Sequence, residues 1–224
     1  MIDGGNMTPA FGWKVLLIGG SSAIGKTTVA RALGRRLGVS VIPADDIRLA
    51  VQQMTTTAAH PHLHYFLDDP HIWRQPPEVL RDGFIAVSRA VSPAVESVVA
   101  HHVVTDVGPI ILEGDNILPG MAAQGHFSDI RFFAGLECGD DVRSVFLVEP
   151  DEEALLHNAR ARGRGFDDLP VEEQRTIVRA VWLYGQWVRQ EAEAHGLPVV
   201  PVRPWMTLTD RVLAAIGCSL SGHQ

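Results

Sequence analysis

The chain has 224 residues, of which 46% are hydrophobic and 20% are charged, and its formal net charge is −7. This length and composition are typical of one globular α/β domain, which excludes a disordered chain and argues against two domains. The acidic balance argues against broad electrostatic binding to nucleic acid. The two cysteines, Cys138 and Cys218, form no C-x-x-C pair, so neither a zinc site nor a disulfide framework is expected.

The N-terminal segment carries neither the basic nor the apolar region of a secretory signal. We expect residues 1–13 to form a loose leader and residues 14–224 to form a single domain. The sequence has no run of about 18 apolar residues, so we expect no membrane span. The cytoplasm is therefore the expected location.

The most specific motif follows a short apolar strand predicted at residues 15–18. Residues 20–27 fit the pattern G-x-x-x-x-G-K-[ST] of phosphate-binding P-loops, and an amphipathic helix predicted from about residue 25 to 37 follows. Gly20 and Gly25 permit close backbone approaches, so that successive N–H groups form an anion-binding nest at a helix N-terminus.

Each P-loop residue has an expected role at the nucleotide. We expect Lys26 to reach the β- and γ-phosphates as a positive charge and Thr27 to offer its hydroxyl to Mg²⁺. Lys26 is therefore also a predicted catalytic residue. The residues predicted to bind the nucleotide are Gly20, Ser21, Ser22, Ala23, Ile24, Gly25, Lys26, Thr27 and Thr28.

Further strands and helices alternate along the chain. Their alternation predicts βαβ units and a parallel sheet of about five strands with helices on both faces, with ligands at the carboxyl ends of the strands. Pro93 should kink or split the long helical region that contains it. Strands are predicted at 39–42, 109–113, 142–148 and 197–202, and helices at 45–53, 77–101, 171–195 and 207–216.

A second motif lies just beyond the second predicted strand. Asp45 and Arg48 are three residues apart and so share one helical face. In a phosphoryl transferase, an acid can accept the proton of an attacking hydroxyl while an arginine holds an anionic substrate group. A helix cap followed by a surface arginine is the alternative. We predict that Asp45, Asp46 and Arg48 bind the substrate and that Asp45 is catalytic.

Acidic and amide side chains follow the third predicted strand. Glu113 ends a strand that should lie beside the P-loop strand, where an acid can hold a water on Mg²⁺. Capping of nearby N–H groups is the equal alternative for Glu113. Asp115 and Asn116 are predicted to face the substrate.

Residues 160–170 are rich in arginine and glycine and lie between two predicted helices. This composition suits a mobile lid, which on closing would supply positive charge to the migrating group and exclude water. A solvated basic loop is the alternative. Arg160 and Arg164 are the predicted catalytic arginines, although the sequence leaves open which lid arginine acts.

Two segments, GSSAIGKTT at residues 20–28 and ADDIR at residues 44–48, resemble the P-loop kinases that phosphorylate hydroxyls of small molecules or nucleic-acid ends. The pattern is similar to the 2-phosphoglycerate kinase-like group, and it also resembles the kinase domain of polynucleotide kinases and chloramphenicol phosphotransferase-like proteins. Further similar segments are Gly83-Phe84, IILEG at 110–114, LPG at 118–120 and AHGLPV at 194–199.

The resemblance implies a P-loop NTPase fold like that of the nucleoside monophosphate kinases, with ATP and Mg²⁺ as cofactors. It also implies that Asp45 orients or deprotonates the acceptor. In kinases of this shape the loop after the last strand borders the adenine, so Arg203 is expected at the nucleotide, with an ordinary turn as the alternative. One departure is that this chain has Asp115-Asn116 where the group has an apolar residue and then His.

These expectations combine into an ATP- and Mg²⁺-dependent kinase that acts on a hydroxyl of a small molecule, such as the phosphorylated acid 2-phosphoglycerate. A helical insert at about residues 50–108 should cover the substrate side. Alternative acceptors are an antibiotic, a nucleoside or a nucleic-acid 5′ hydroxyl, the last disfavoured by the net charge. An alternative of another class is a nucleotide-dependent switch or ATPase without an acceptor.

Overall fold

The computed structural model describes residues 12–69, 71–105, 107–129, 132–137, 139–163 and 165–217, and at 128–129 and 132–137 it describes the backbone. In chain order the strands and helices are β1 (Val15–Gly19), α1 (Lys26–Leu37), β2 (Ser40–Pro43), α2 (Ala44–Met54), α3 (Pro77–Val104), β3 (Ile110–Glu113), α4 (Pro119–Ala123), β4 (His126–Asp129), β5 (Phe132–Glu137), β6 (Val142–Val148), α5 (Glu152–Arg162), α6 (Val171–Ala194), β7 (Val199–Pro201) and α7 (Leu208–Ala215).

Five strands form a parallel sheet in the order β2-β3-β1-β6-β7. The central strand β1 is wholly apolar apart from its final glycine and is buried along its whole length, as expected for a strand covered on both faces. Its alternate residues point to opposite faces, so Val15 and Leu17 join one apolar cluster while Leu16 and Ile18 join the other. The predicted three-layer α/β fold with a five-stranded parallel sheet is confirmed.

The strand register places three chain segments at one edge of the sheet. Ile18 of β1 and Pro43 of β2 both pair with Glu113, the last residue of β3. The segments that follow these strands therefore emerge side by side. They are the P-loop, the start of α2 and the loop after Glu113, which are the three segments singled out in the sequence.

Helix α3 crosses the core as one continuous element of 28 residues, with Pro93 inside it, so the region is not split in two. It is the helix among the described residues that is long and apolar enough to cross a membrane. Its buried side, which includes Val91, Val95 and Val99, packs into the core with α6 and the sheet. A core helix passes the same test of length and composition, so this is weak evidence for a membrane span.

An antiparallel hairpin, β4 and β5, lies outside the main sheet and packs on α3. The sequence analysis predicted no element there. The segment lacks the Asn-Gly or Asp-Gly turn and the regular apolar/polar alternation that indicate a hairpin. Phe127, which is fully buried, anchors the hairpin in the core.

Candidate active site

The P-loop joins β1 to α1 with the backbone geometry that a phosphate cradle needs. Gly20 and Gly25 have φ values of 133° and 80°, a region that favours glycine, and Ala23 has a φ of 60°. A Cβ on Gly20 would collide with the carbonyl oxygen of Leu147 in β6, and one on Gly25 would collide with the ring of Trp205. Gly20 is therefore required by close backbone packing as well as by its conformation, and Gly25 is required by its conformation, with the partly exposed Trp205 ring against it.

Lys26 is buried, and its ammonium group lies on the inner side of the loop. Its Nζ donates to the Ser21 carbonyl oxygen at 2.6 Å and to Oδ1 of Asp115. The hydroxyl of Ser22 donates to the other oxygen of the same carboxylate. The Asp115 carboxylate thus bridges two P-loop donors in the way that a phosphate group would, which shows that these donors are arranged to bind an anion.

Thr27 and Glu113 bring two oxygen atoms together beside the loop. The Thr27 hydroxyl donates to Oε1 of Glu113 at 2.8 Å, and Glu113 is 4% exposed at the end of β3. A hydroxyl and a buried carboxylate are ligands suited to a hard cation such as Mg²⁺. These residues therefore fit the expected magnesium site, and the adjacent donors fit the phosphates of ATP.

The first turns of α2 present the second predicted motif. Nη2 of Arg48 lies 3.2 Å from Oδ1 of Asp45, and its Nη1 donates to Oε1 of Gln52 at 2.9 Å. Gln52 is buried and donates in turn to the Leu63 carbonyl oxygen at 2.7 Å. Sequence reasoning missed Gln52, which its spacing of four residues from Arg48 on the same helical face would have indicated.

Two of the cavities at the P-loop share part of their lining. The nucleotide-side cavity, of about 540 Å³, surrounds Lys26 and Thr27 and also contacts Trp205. The acceptor-side cavity, of about 350 Å³, contains Arg48, Asn116 and a series of aromatic rings. The residues that line both cavities are Ser22, Asp45, Asp115 and Arg162. Asp46 is exposed on α2 and lies outside both linings.

The loop that carries Asp115 and Asn116 is held from behind by two helices. The hydroxyl of Tyr184 on α6 donates to the Asp115 carbonyl oxygen at 2.5 Å and lies 3.2 Å from the hydroxyl of Ser88 on α3. Ser88 in turn donates to Oδ1 of the buried Asn116 at 3.3 Å. Burial raises the pKa of Tyr184 above its usual range, the Ser88 hydrogen bond opposes this, and the Asp115 charge adds to it. Tyr184 is thus a neutral hydrogen-bond donor, a role that the sequence analysis did not assign to it.

The predicted lid begins in the last turn of α5. Arg162, at the end of that helix, lines both cavities. Arg160 instead donates to Oε1 of the buried Gln174 on α6 at 2.9 Å and lines neither cavity. Arg164 lies outside the described residues. The structure therefore brings Arg162 to the P-loop and directs Arg160 towards α6.

In the loop after β7, Arg203 was expected to lie at the nucleotide, where this loop borders the adenine in similar kinases. Arg203 donates from Nε to Oε2 of the buried Glu149 at 3.0 Å and lines neither cavity, so it is not brought to the nucleotide side. Trp205, two residues later, lines the nucleotide-side cavity beside Gly25 and is 37% exposed. Its ring is the aromatic surface that this loop places next to the P-loop.

Comparison with known proteins gives a family model, curated relatives and solved structures. Residues 13–163 match the family model described as "IPT: Isopentenyl transferase". The 2-phosphoglycerate kinase of Methanocaldococcus jannaschii is 28% identical over 197 residues, covering 83% of this chain and 57% of that protein. The 2-phosphoglycerate kinase of Methanopyrus kandleri is 25% identical over 213 residues, covering 92% of this chain and 61% of that protein.

The chain thus spans about three fifths of the length of these curated relatives. Their names confirm the resemblance to the 2-phosphoglycerate kinase-like group. Shikimate kinase from Acinetobacter baumannii in complex with shikimate has a similar fold, with a TM-score of 0.52, 13% identity, and coverage of 95% of this chain and 97% of that one. This likeness supports the fold class.

Proposed function

The chain belongs to the isopentenyl transferase (IPT) family, and we propose that it transfers the γ-phosphoryl group of ATP, with Mg²⁺, to a hydroxyl group of a small molecule. The family model is named for a transferase of isopentenyl groups, whereas the curated relatives are named as kinases. They differ in the group that is transferred, so the choice between them depends on the geometry of the site.

One observation carries the proposal. The nucleotide-side and acceptor-side cavities meet at the P-loop and share Ser22, Asp45, Asp115 and Arg162. A kinase needs a phosphate site and an acceptor site that meet in this way, because its catalysis depends on positioning and on electrostatic stabilisation of the migrating group. A switch protein without an acceptor has no need of the second cavity.

The side chains around the P-loop then have definite roles. Bound ATP would supply the phosphoryl group, and Mg²⁺ would neutralise charge on its phosphates. Lys26 and the loop N–H groups bind the phosphates, while Thr27 and Glu113 hold the cation. Because the Asp115 carboxylate contacts the same Lys26 and Ser22 donors, it must give way when a phosphate binds there.

The acceptor is positioned from the other side of the junction. Asp45 orients the acceptor hydroxyl and takes its proton, and Arg48 binds an anionic group of the acceptor. Arg162 lies at both cavities and places positive charge near the migrating group when the lid closes. In our proposal Arg162 therefore takes the place of Arg160 as the lid arginine that acts in the reaction, while the role of Arg164 stays a prediction.

The test is a phosphoryl-transfer assay with Mg²⁺ and γ-labelled ATP. The acceptors are 2-phosphoglycerate, because the curated relatives are named for it, together with other hydroxylated acids, nucleosides and hydroxyl-bearing antibiotics. We expect label in an acceptor and loss of about a hundredfold or more in rate for Asp45→Asn at unchanged ATP affinity. Asp46→Asn, an exposed neighbour outside both cavities, is the matched control. Phosphate release to water alone, equal in both variants, would instead support an ATPase or switch.

A second candidate is transfer of an isopentenyl group. A third cavity, of about 410 Å³, lies between α5, the lid and α6 and contacts the P-loop at Ser22 and Ala23. Most of its lining is apolar, including Leu155, Phe166 and Val178. Such a cavity beside a phosphate cradle suits a diphosphate with an apolar tail. Release of diphosphate from an isopentenyl-type diphosphate, without labelling of any acceptor from ATP, would favour this candidate over the kinase.

A further inference from the structure

Four aromatic rings form one side of the acceptor-side cavity, and we call them the aromatic wall: Phe66, Trp73, Phe84 and Tyr184. Phe66 stacks on Trp73, with ring centroids 4.9 Å apart and an angle of 13°, and on Phe84 at 4.9 Å and 29°. Phe84 then meets Tyr184 edge to face at 5.9 Å. The rings are thus in mutual contact, and all four line the cavity, although Tyr184 is only 2% exposed.

The wall is assembled from segments that are far apart in the chain. Phe66 and Trp73 precede α3, Phe84 lies on α3, and Tyr184 lies on α6. Gly83 makes the assembly possible, because a Cβ at that position would collide with the rings of Tyr65 and Phe66. Leu67, which is 62% exposed, also lines the cavity.

The charges around the same cavity are balanced. Its lining contains two arginines, Arg48 and Arg162, and two carboxylates, Asp45 and Asp115. Arg48, which pairs with Asp45, lines the acceptor-side cavity and not the nucleotide-side cavity, whereas Arg162 lines both, so Arg48 is the cation available to one anionic group of the acceptor. A small acid that carries both a phosphate and a carboxylate would bring several negative charges to a site with no net positive charge. Placing those charges against an apolar wall would carry a desolvation cost.

We propose that the acceptor of this kinase is a hydroxyl compound with a flat, apolar ring and at most one carboxylate, rather than 2-phosphoglycerate. The ring lies on the aromatic wall, the carboxylate pairs with Arg48, and the hydroxyl faces Asp45. This assignment of the acceptor class rests on the proposed phosphoryl transfer. In the reaction the acceptor oxygen forms a bond to the γ-phosphorus of ATP, the bond to ADP breaks, and Asp45 receives the hydroxyl proton.

The first measurement is direct binding, which does not depend on catalysis. The full chain is titrated with 4-(hydroxymethyl)benzoate and, separately, with 2-phosphoglycerate, and tryptophan fluorescence is followed. Because Trp73 lies in the wall, we expect the ring compound to change the fluorescence at lower concentration than 2-phosphoglycerate does. The change should be lost in Trp73→Phe, which removes the reporter and keeps an aromatic ring.

The second measurement is transfer from γ-labelled ATP to the same two acceptors. We expect kcat/KM for 4-(hydroxymethyl)benzoate to exceed that for 2-phosphoglycerate by about tenfold or more. Phe84→Leu should raise KM for the ring compound by about tenfold with little change in kcat, since the wall contributes binding rather than chemistry. Trp187→Leu is the matched control, because Trp187 stacks on Tyr184 at 5.9 Å but lies outside the cavity lining.

The outcomes separate this inference from the function on which it rests. Equal or better transfer to 2-phosphoglycerate would overturn the acceptor class and leave the kinase function intact. Absence of binding by the ring compound would also overturn the acceptor class. Binding of the ring compound, with phosphate released to water alone in the presence of these two and of the other acceptor classes named above, would support the ring-binding cavity and refute the kinase function. Thermal unfolding of Phe84→Leu and Trp187→Leu checks that both variants fold.

Discussion

The nucleotide side and the acceptor side of this site are built in different ways. On the nucleotide side, one contiguous segment supplies most of the donors, and its key groups, Lys26 and Glu113, are buried at the edge of the sheet. On the acceptor side, the lining comes from α2, the segment before α3, α3, the loop after β3, the end of α5, and α6. The contrast teaches that the donors of the P-loop are specified locally, whereas the lining of the acceptor-side cavity depends on the packing of distant segments.

The largest effect is expected in the P-loop, the contiguous segment that supplies most of the donors on the nucleotide side. Lys26→Met should lower phosphoryl transfer by about a thousandfold and weaken ATP binding, because it removes the positive charge from the anion nest. Transfer is measured with labelled ATP, and affinity is measured by calorimetry. Lys14→Met is the matched control: Lys14 precedes β1 at the opposite edge of the sheet, where it pairs with Asp141. An equal loss in both variants would contradict a specific role for Lys26.

The second prediction concerns the two lid arginines, of which Arg162 lines both cavities and Arg160 lines neither. Arg162→Ala should lower kcat by about a hundredfold with little change in ATP affinity, because Arg162 is placed to stabilise charge in transfer rather than in binding. Arg160→Ala should change kcat by much less, because Arg160 is held by Gln174. Steady-state kinetics of Arg162→Ala and Arg160→Ala shows which of the two arginines acts in transfer. A larger loss in Arg160→Ala would show that the lid rearranges on closing and would restore the assignment made from the sequence.

Asp115 links the two sides, because its carboxylate contacts the P-loop while its backbone is anchored by Tyr184. Asp115→Asn should tighten ATP binding by about tenfold, or ~1.4 kcal/mol, because a negative group no longer competes with phosphate for Lys26. Calorimetric titration with ATP measures the shift, with Asp46→Asn as control. Unchanged or weaker binding would mean that the carboxylate assists the nucleotide rather than competing with it.

The smallest effect is expected from the hydroxyl that supports the junction. Tyr184→Phe should lower the free energy of unfolding by about 1 kcal/mol, since its hydrogen bonds to Asp115 and Ser88 are lost. Burial raises the pKa of Tyr184, so the folded state favours the protonated hydroxyl. The stability that this hydroxyl contributes is therefore fully present below the ordinary tyrosine pKa of about 10 and is lost as the pH rises above it. Denaturation at pH 8 and above pH 10 should therefore show a shallower alkaline loss in Tyr184→Phe than in the natural chain.

Much of the fold could be predicted from the sequence because its signals are local. The apolar run of β1 and the glycines of the P-loop indicate a buried strand and a tight loop wherever they occur. The β4–β5 hairpin was missed because its turn carries no local signature, and its position depends on contact with α3. The roles assigned to the P-loop residues, Asp45 and Glu113, and the boundaries of the domain (14–224), insert (50–108) and lid (160–170), stay predictions.

The lid and the last loop show where sequence reasoning fails. Arg160 and Arg162 lie in the same arginine- and glycine-rich segment. The position of each at the end of α5 decides that Arg160 contacts Gln174 whereas Arg162 lines the cavities. In the same way, Arg203 and Trp205 lie two residues apart, yet one pairs with Glu149 and the other stands beside Gly25. Side-chain direction at such positions is set by tertiary contacts, which residue type does not encode.

The sequence by itself determined that a strand, a glycine-rich loop and a helix form a phosphate cradle, because backbone conformation and N–H direction follow from neighbouring residues. Only the tertiary structure decided what faces that cradle. It brought Asp45, Asp115 and Arg162 into the lining of the same two cavities, and it assembled the aromatic wall from segments more than a hundred residues apart, from Phe66 to Tyr184. The physical reason is that the aromatic wall and the residues shared by the two cavities are positioned by packing against α3 and α6. No short segment of the sequence specifies that packing.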